Sequence, residues 1–164
     1  MLALFAGSSA MATTCTSTFS LGTLNFGGSR WLYNHFSSVQ SFTDCYQFDI
    51  LNDDSRALGF AVEWDFFGYQ RLAIDLTSVS LSGSGLTTAI VDPTPGNFSF
   101  TDLKSGSYEL ALSGSTSQSA WGFLDGNVEY LGHLGITPAV PEPETLAMFA
   151  LGLGLVAWRI RRKP

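Results

Sequence analysis

The stretch Phe42-Thr43-Asp44-Cys45-Tyr46-Gln47-Phe48-Asp49-Ile50-Leu51 decides the fold class of this 164-residue chain. In an extended backbone successive side chains point to opposite faces, so Phe42, Asp44, Tyr46, Phe48 and Ile50 share one side. Asn52-Asp53-Asp54 then supplies a turn. Ala57 to Phe67 alternates again, with Phe60, Val62, Trp64 and Phe66 together on one face. From Arg71 to Leu81 the apolar side carries Leu72, Ile74 and Leu76, then changes parity at Val79 and Leu81. A β-bulge is a physical cause of such a change.

The same signal extends in both directions. Upstream lie Phe19 to Leu24 and an aromatic, interrupted run from Arg30 to Phe36. Downstream, Gly83-Ser84-Gly85 turns into Leu86 to Val91, Asp92 to Asn97 is a loop, and Phe98 to Leu103 follows. Lys104-Ser105-Gly106 turns into Ser107 to Gly114, where Tyr108, Leu110 and Leu112 share a face. Ala120 to Leu124, Asp125-Gly126 and Asn127 to Leu131 read as a closing hairpin, and 132–139 as a linker. No convincing helix precedes residue 145. The expected class is all-β, an antiparallel sandwich of about eight strands over residues 13–131, followed by one C-terminal transmembrane helix.

That helix belongs to a three-part tail. Val140-Pro141-Glu142-Pro143 comes first, extended because proline fixes φ and removes a donor. An uncharged apolar run follows, with Leu146, Phe149, Leu151, Leu153, Leu155 and Trp158. The end is basic: Arg159, Arg161, Arg162 and Lys163. As a helix, Thr145 to Ile160 measures roughly 24 Å against a hydrocarbon core of about 30 Å, so length alone leaves a short span and a core helix both open. The flanks favour the span. Trp158 stands where interfacial aromatics stand, the cations beside it can snorkel, and the run lacks the polar face of a soluble helix. The basic end then stays in the cytoplasm and everything upstream is exported. Met1 to Ala12 reads as the back half of a secretory signal ending in Ala10-Met11-Ala12, with cleavage expected after Ala12. No Lys or Arg precedes Arg30, so the basic start of such a signal is missing, which points to a start codon placed too late or to a truncated sequence.

The tail resembles the PEP-CTERM sorting signal of Gram-negative bacteria, with Pro141-Glu142-Pro143 as its named motif. The resemblance implies recognition by exosortase, a membrane transpeptidase-like protein, and removal of the tail there. It also implies a transient anchor in the inner membrane and a final place at the cell surface or in extracellular polysaccharide. Phe42 to Phe48 resembles the FxDxF signature of one group of such proteins, carried by Phe42, Asp44, Tyr46 and Phe48. Tyr46 replaces the second Phe of the signature, and Cys45 sits inside it. Leu103 to Gly114 and Trp121 to Val128 are similar to later stretches of that group, to which no biochemical activity is attached.

Between the two ends, twelve carboxylates stand against four cations, a net charge of −8. Nucleic acid is therefore discounted as a partner. Cys15 and Cys45 are candidates for a disulfide in an exported domain, although spacing alone does not bring two Cβ atoms together. No zinc pattern, phosphate loop, dinucleotide fingerprint or G-x-S-x-G occurs, so no metal, cofactor or catalytic residue is expected. Asp44, on an apolar face, must be hydrogen-bonded or have its pKa raised. It reads as a general acid or metal ligand, or as a structural acceptor of turn amides pinning the sheet edge. The structural reading is favoured because no second catalytic group is tied to Asp44 by spacing.

Asp49, Asp53 and Asp54 have the composition of a Ca²⁺ loop without its spacing and read as a solvated turn. His35 and His133 read as surface or linker residues. Trp31, Trp64 and Trp121 form either a sugar-stacking platform or part of the core, and strand aromatics are more often core. The expectation is a non-catalytic structural or adhesive protein of the cell surface or matrix. The competing reading is a secreted carbohydrate-binding or carbohydrate-active enzyme using aromatics and carboxylates such as Asp44 and Glu63.

Overall fold

A computed structural model describes residues 14–64, 70–120, 122–124, 126–139 and 151. Nine strands run through them: β1 (Ser17–Leu24), β2 (Ser29–Phe36), β3 (Ser41–Ile50), β4 (Ser55–Trp64), β5 (Leu72–Gly83), β6 (Ile90–Asp92), β7 (Phe98–Leu103), β8 (Gly106–Gln118) and β9 (Val128–Pro138). They form a five-stranded sheet, β1-β3-β8-β5-β6, packed on a four-stranded sheet, β2-β9-β4-β7. This is the all-β sandwich the alternation predicts, with nine strands instead of about eight. One pair departs from the antiparallel rule: β1 and β3 run parallel. The chain leaves β1 for the opposite sheet, makes β2, and returns, so it re-enters beside β1 in the same direction.

Residues of the deciding stretch behave as their period requires. Phe42, Asp44, Tyr46, Phe48 and Ile50 are all buried, while Gln47 and Asp49 point to solvent. The parity change in β5 is a bulge: pairing with β8 shifts between Leu76 and Ser78, which turns Val79 and Leu81 back into the core.

β4 overturns the intuitive assignment of faces. Its small residues, Ala57, Gly59 and Ala61, face the core, and the large ones, Phe60, Val62 and Trp64, face out. The inward side has no room for more. A Cβ on Gly59 would lie 2.6 Å from the Phe98 ring and 2.0 Å from the His133 carbonyl oxygen. Phe98 leans across that glycine from the neighbouring strand and fills the space a side chain would have taken. Phe66 lies outside the described residues.

The segment read as a linker, 132–139, is mostly strand: β9 continues to Pro138 between β2 and β4. Gly132 misleads because an interior glycine usually weakens a strand. Here its Cβ would sit 2.6 Å from the Phe60 carbonyl oxygen, so close backbone approach demands glycine. The expected hairpin around Asp125-Gly126 is also revised. Leu124 bridges to Gln70, and β9 pairs with β2 and β4 rather than with 120–124. The C-terminal helix falls outside the described residues apart from Leu151, which is helical. Among the described residues no helix is long and apolar enough to cross a membrane.

Two sheet-crossing turns are fastened together at one end of the sandwich. Ser105 donates its amide to Asp53 Oδ1 at 2.7 Å, Lys104 Nζ pairs with Asp54 Oδ1 at 2.6 Å, and Ser107 Oγ donates to Asp49 Oδ1 at 2.6 Å. The Ser105 bonds hold the Asp53 carboxyl below its ordinary pKa. Asp53 and Asp54 thus clip the two turns together, while Asp49 joins the neighbouring strands β3 and β8.

Candidate functional site

Asp44 projects from β3 across the sandwich and is 0% exposed. Its Oδ2 accepts from Asn34 Nδ2 of β2 at 2.8 Å and from the Tyr130 hydroxyl of β9 at 2.6 Å. Tyr130 has one proton and gives it to Asp44, so Tyr46 supplies the proton between the two phenols at 2.6 Å and shares it with the Tyr33 carbonyl oxygen at 3.3 Å. Asp44 Oδ1 is buried and has no hydrogen-bond partner among the described residues. The expected partners, amides of a neighbouring turn at a sheet edge, are replaced by side chains of the facing sheet. β3 is an inner strand, flanked by β1 and β8. The other residues of the FxDxF-like stretch, Phe42, Tyr46 and Phe48, are also buried, with Phe42 stacked on Phe36 at 4.1 Å.

Burial pushes the Tyr46 hydroxyl up to about 12. Tyr130 is raised too, first by burial and then by Tyr46 and Asp44 around it. A folded-state pKa above the unfolded one, near 10 for tyrosine, gives stability that is complete below about pH 10 and lost as pH climbs toward 12. Thermal unfolding followed from about pH 8 to pH 12 should show the midpoint falling beyond about pH 10. A midpoint flat to the top of that range would mean that the phenols ionise as freely in the folded domain as in the unfolded chain.

The outer face of the four-stranded sheet is the second concentration of unusual side chains. Trp31 is 62% exposed, Trp64 52%, Tyr33 46% and Phe60 37%. Strand register sets them in rows. Trp31 and Phe60 flank His133, Tyr33 and Val62 flank Leu131, and His35 and Trp64 flank Glu129. At about 4.8 Å between strands and 6.8 Å between same-face neighbours, this platform covers roughly 10 by 14 Å. Within it Trp31 meets His133 edge-on at 5.1 Å, and Phe60 stacks on His133 at 6.1 Å. Tyr33 donates its hydroxyl to Glu129 Oε2 at 2.9 Å, a bond that raises the Tyr33 pKa and keeps the proton in place.

Trp31 and Trp64 therefore lie on one exposed platform and not in the core, whereas Trp121 lies outside the described residues. His35 and His133 belong to the platform, with His133 in strand β9 and not in a linker. Tyr33, Phe60 and Glu129 were not singled out by the sequence. The parity of Phe60 with Val62 and Trp64 was the available signal, but it does not say which parity faces water.

The remaining candidates are scattered. Cys15 and Cys45 form a disulfide with a Cα–Cα distance of 5.7 Å, tying the start of the edge strand β1 to β3. Glu109 approaches both sulfurs, with donor atoms of the three residues within 4.8 Å, but the sulfurs are bonded to each other and offer no thiolate to a metal. Glu63, in the sheet opposite Asp44, is exposed and accepts from the Leu76 amide at 2.7 Å.

Residues 139–163 match the PEP-CTERM protein-sorting motif. This is the signal of an exported protein that passes through the membrane, and it implies exosortase as sorting partner. The match takes in Val140 to Pro143, the apolar run and the basic end, all outside the described residues except Leu151. Among solved structures the chain is similar to a mutant of a periplasmic inhibitor of g-type lysozyme from Escherichia coli. Identity is 13%, 71% of this chain and 98% of that one are covered, and the TM-score is 0.39. The Salmonella Typhimurium PliG inhibitor of g-type lysozyme gives 13%, 71%, 97% and 0.39 in the same order. The pre-peptidase C-terminal domain of collagenase from Bacillus anthracis gives 12%, 77%, 99% and 0.30. No curated protein matches the chain.

Proposed function

We propose that this exported protein works outside the cell as a non-catalytic, adhesive component of the surface or matrix, holding extracellular polysaccharide on the outer face of β2, β9 and β4. The observation carrying this reading is the exposed platform of Trp31, Tyr33, Phe60 and Trp64 with Glu129 and histidines set among the rings. Aromatic faces cover the C–H side of a sugar ring, and the polar groups between them serve its hydroxyls. The alternative of a carbohydrate-active enzyme has less support, because its two named carboxylates lie in opposite sheets and Asp44 is sealed in the core. We place the chain beside the FxDxF group on Phe42, Asp44, Tyr46 and Phe48, a reading supported by all four facing inward. The Pro-Glu-Pro signal supports release by exosortase to the surface.

The test compares wild type with a Trp31→Ala/Trp64→Ala double variant in a host that exports and processes the chain. Both side chains are exposed, so the variant should unfold near the wild-type temperature. Both proteins should leave the cell. Retention on surface polysaccharide should fall by about tenfold or more in the variant. A variant that stays folded and is retained as well as wild type would refute the platform as the adhesive face.

A further inference from the structure

Resting on the polysaccharide reading, we infer that the ligand is a cationic amino-sugar polymer whose free ammonium groups are taken by Glu129 and the surrounding aromatic faces. A neutral glycan would need rings and hydroxyl partners but would make no use of a charge. This platform adds a carboxylate at its middle strand. Glu129 lies in register between His35 and Trp64, and its Oε2 already accepts from Tyr33. A carboxylate has about four acceptor positions, so one phenol leaves most of them for a ligand donor. A fixed anion on a binding face repels uronate or phosphate chains and attracts ammonium. The rings act in the same sense. Trp31, Tyr33, Phe60 and Trp64 are exposed, and a ligand cation over an aromatic face is attracted by the ring quadrupole where an anion is not.

The long-range field agrees. With twelve carboxylates against four cations between the two ends, a polycation is drawn toward this domain and a polyanion pushed away. Two cations lie on the platform's strands: Arg56, at the far end of β4, bonds Ser99 Oγ at 2.8 Å, and Arg30 of β2 donates to the carbonyl oxygens of Leu21 and Ser29. A partly deacetylated amino-sugar chain combines the two properties the face asks for: stackable pyranose rings and positive charge along the polymer.

The experiment titrates the full chain in mild detergent with three oligosaccharides of equal length: glucosamine, N-acetylglucosamine and a uronic acid. Glucosamine should bind about tenfold more tightly than its N-acetylated form, with the gap closing as salt is raised. Glu129→Gln keeps an acceptor for Tyr33 and should abolish the preference, bringing glucosamine down to the affinity of its N-acetylated form. Equal or tighter binding of the N-acetylated oligomer would overturn the inference and leave the polysaccharide reading intact. So would an amine preference that survives Glu129→Gln, or a preference for the uronic acid. Failure of all three oligomers to bind would overturn both.

Discussion

An Asp44→Ala variant is expected to lose about 3 kcal/mol of stability, a large part of the roughly 5–15 kcal/mol that holds an ordinary domain together. The change strands two donors at once, the half-buried Asn34 amide and the buried Tyr130 hydroxyl, each of which now reaches Asp44 Oδ2. A buried donor left without an acceptor costs about 1–3 kcal/mol. Asp44→Asn should be milder, because both bonds end on Oδ2 and an amide oxygen in that place still accepts from both donors. Urea unfolding measures both, and a loss under about 1 kcal/mol for the alanine variant would refute the clasp. The loss should also appear as exchange of amides in both sheets, since Asp44 joins β3 to β2 and β9.

Replacing Cys15 and Cys45 by serine is expected to cost about 3.5 kcal/mol in the chain-entropy account, given a sequence separation of 30. For a domain of this size that is a fall in melting temperature on the order of 10–15 °C, also reproduced by adding reductant to wild type. The loss should be uneven. β1 is an edge strand held only by β3 on one side, so hydrogen exchange should rise there first. An unchanged melting temperature in reductant would show that β1 is held by its other contacts alone. In an oxidising compartment the bond persists, which agrees with a chain that carries an export signal.

The fold class was legible because several strands bury one face only. In β3 and β5 the core residues recur every second position, and even the bulge before Ser78 left its mark as a change of parity. β4 was legible as a strand but not as to its faces. Its inward side is filled by Phe98 leaning over Gly59, a relation between strands that alternation does not encode. β9 was half legible, since Gly132 reads as a break until Phe60 is seen pressing against it. Of the exposed aromatic platform, Trp31 and Trp64 stood out as residue types. Glu129 did not, because only strand register sets it beside Trp64, 65 positions away in sequence.

β9 reaches Pro138, Ala139 still donates its amide to the Asp54 carbonyl oxygen at 2.8 Å, and the sorting motif begins at residue 139. There is no slack between fold and signal. Tension applied at that point acts along β9, which is flanked lengthwise by β2 and β4. The load is then shared in shear by two ladders of backbone hydrogen bonds, which must yield together instead of unzipping one after another. A pull on the chain at residue 139, during sorting, therefore meets the inner strand β9 in shear and not an edge strand that can peel.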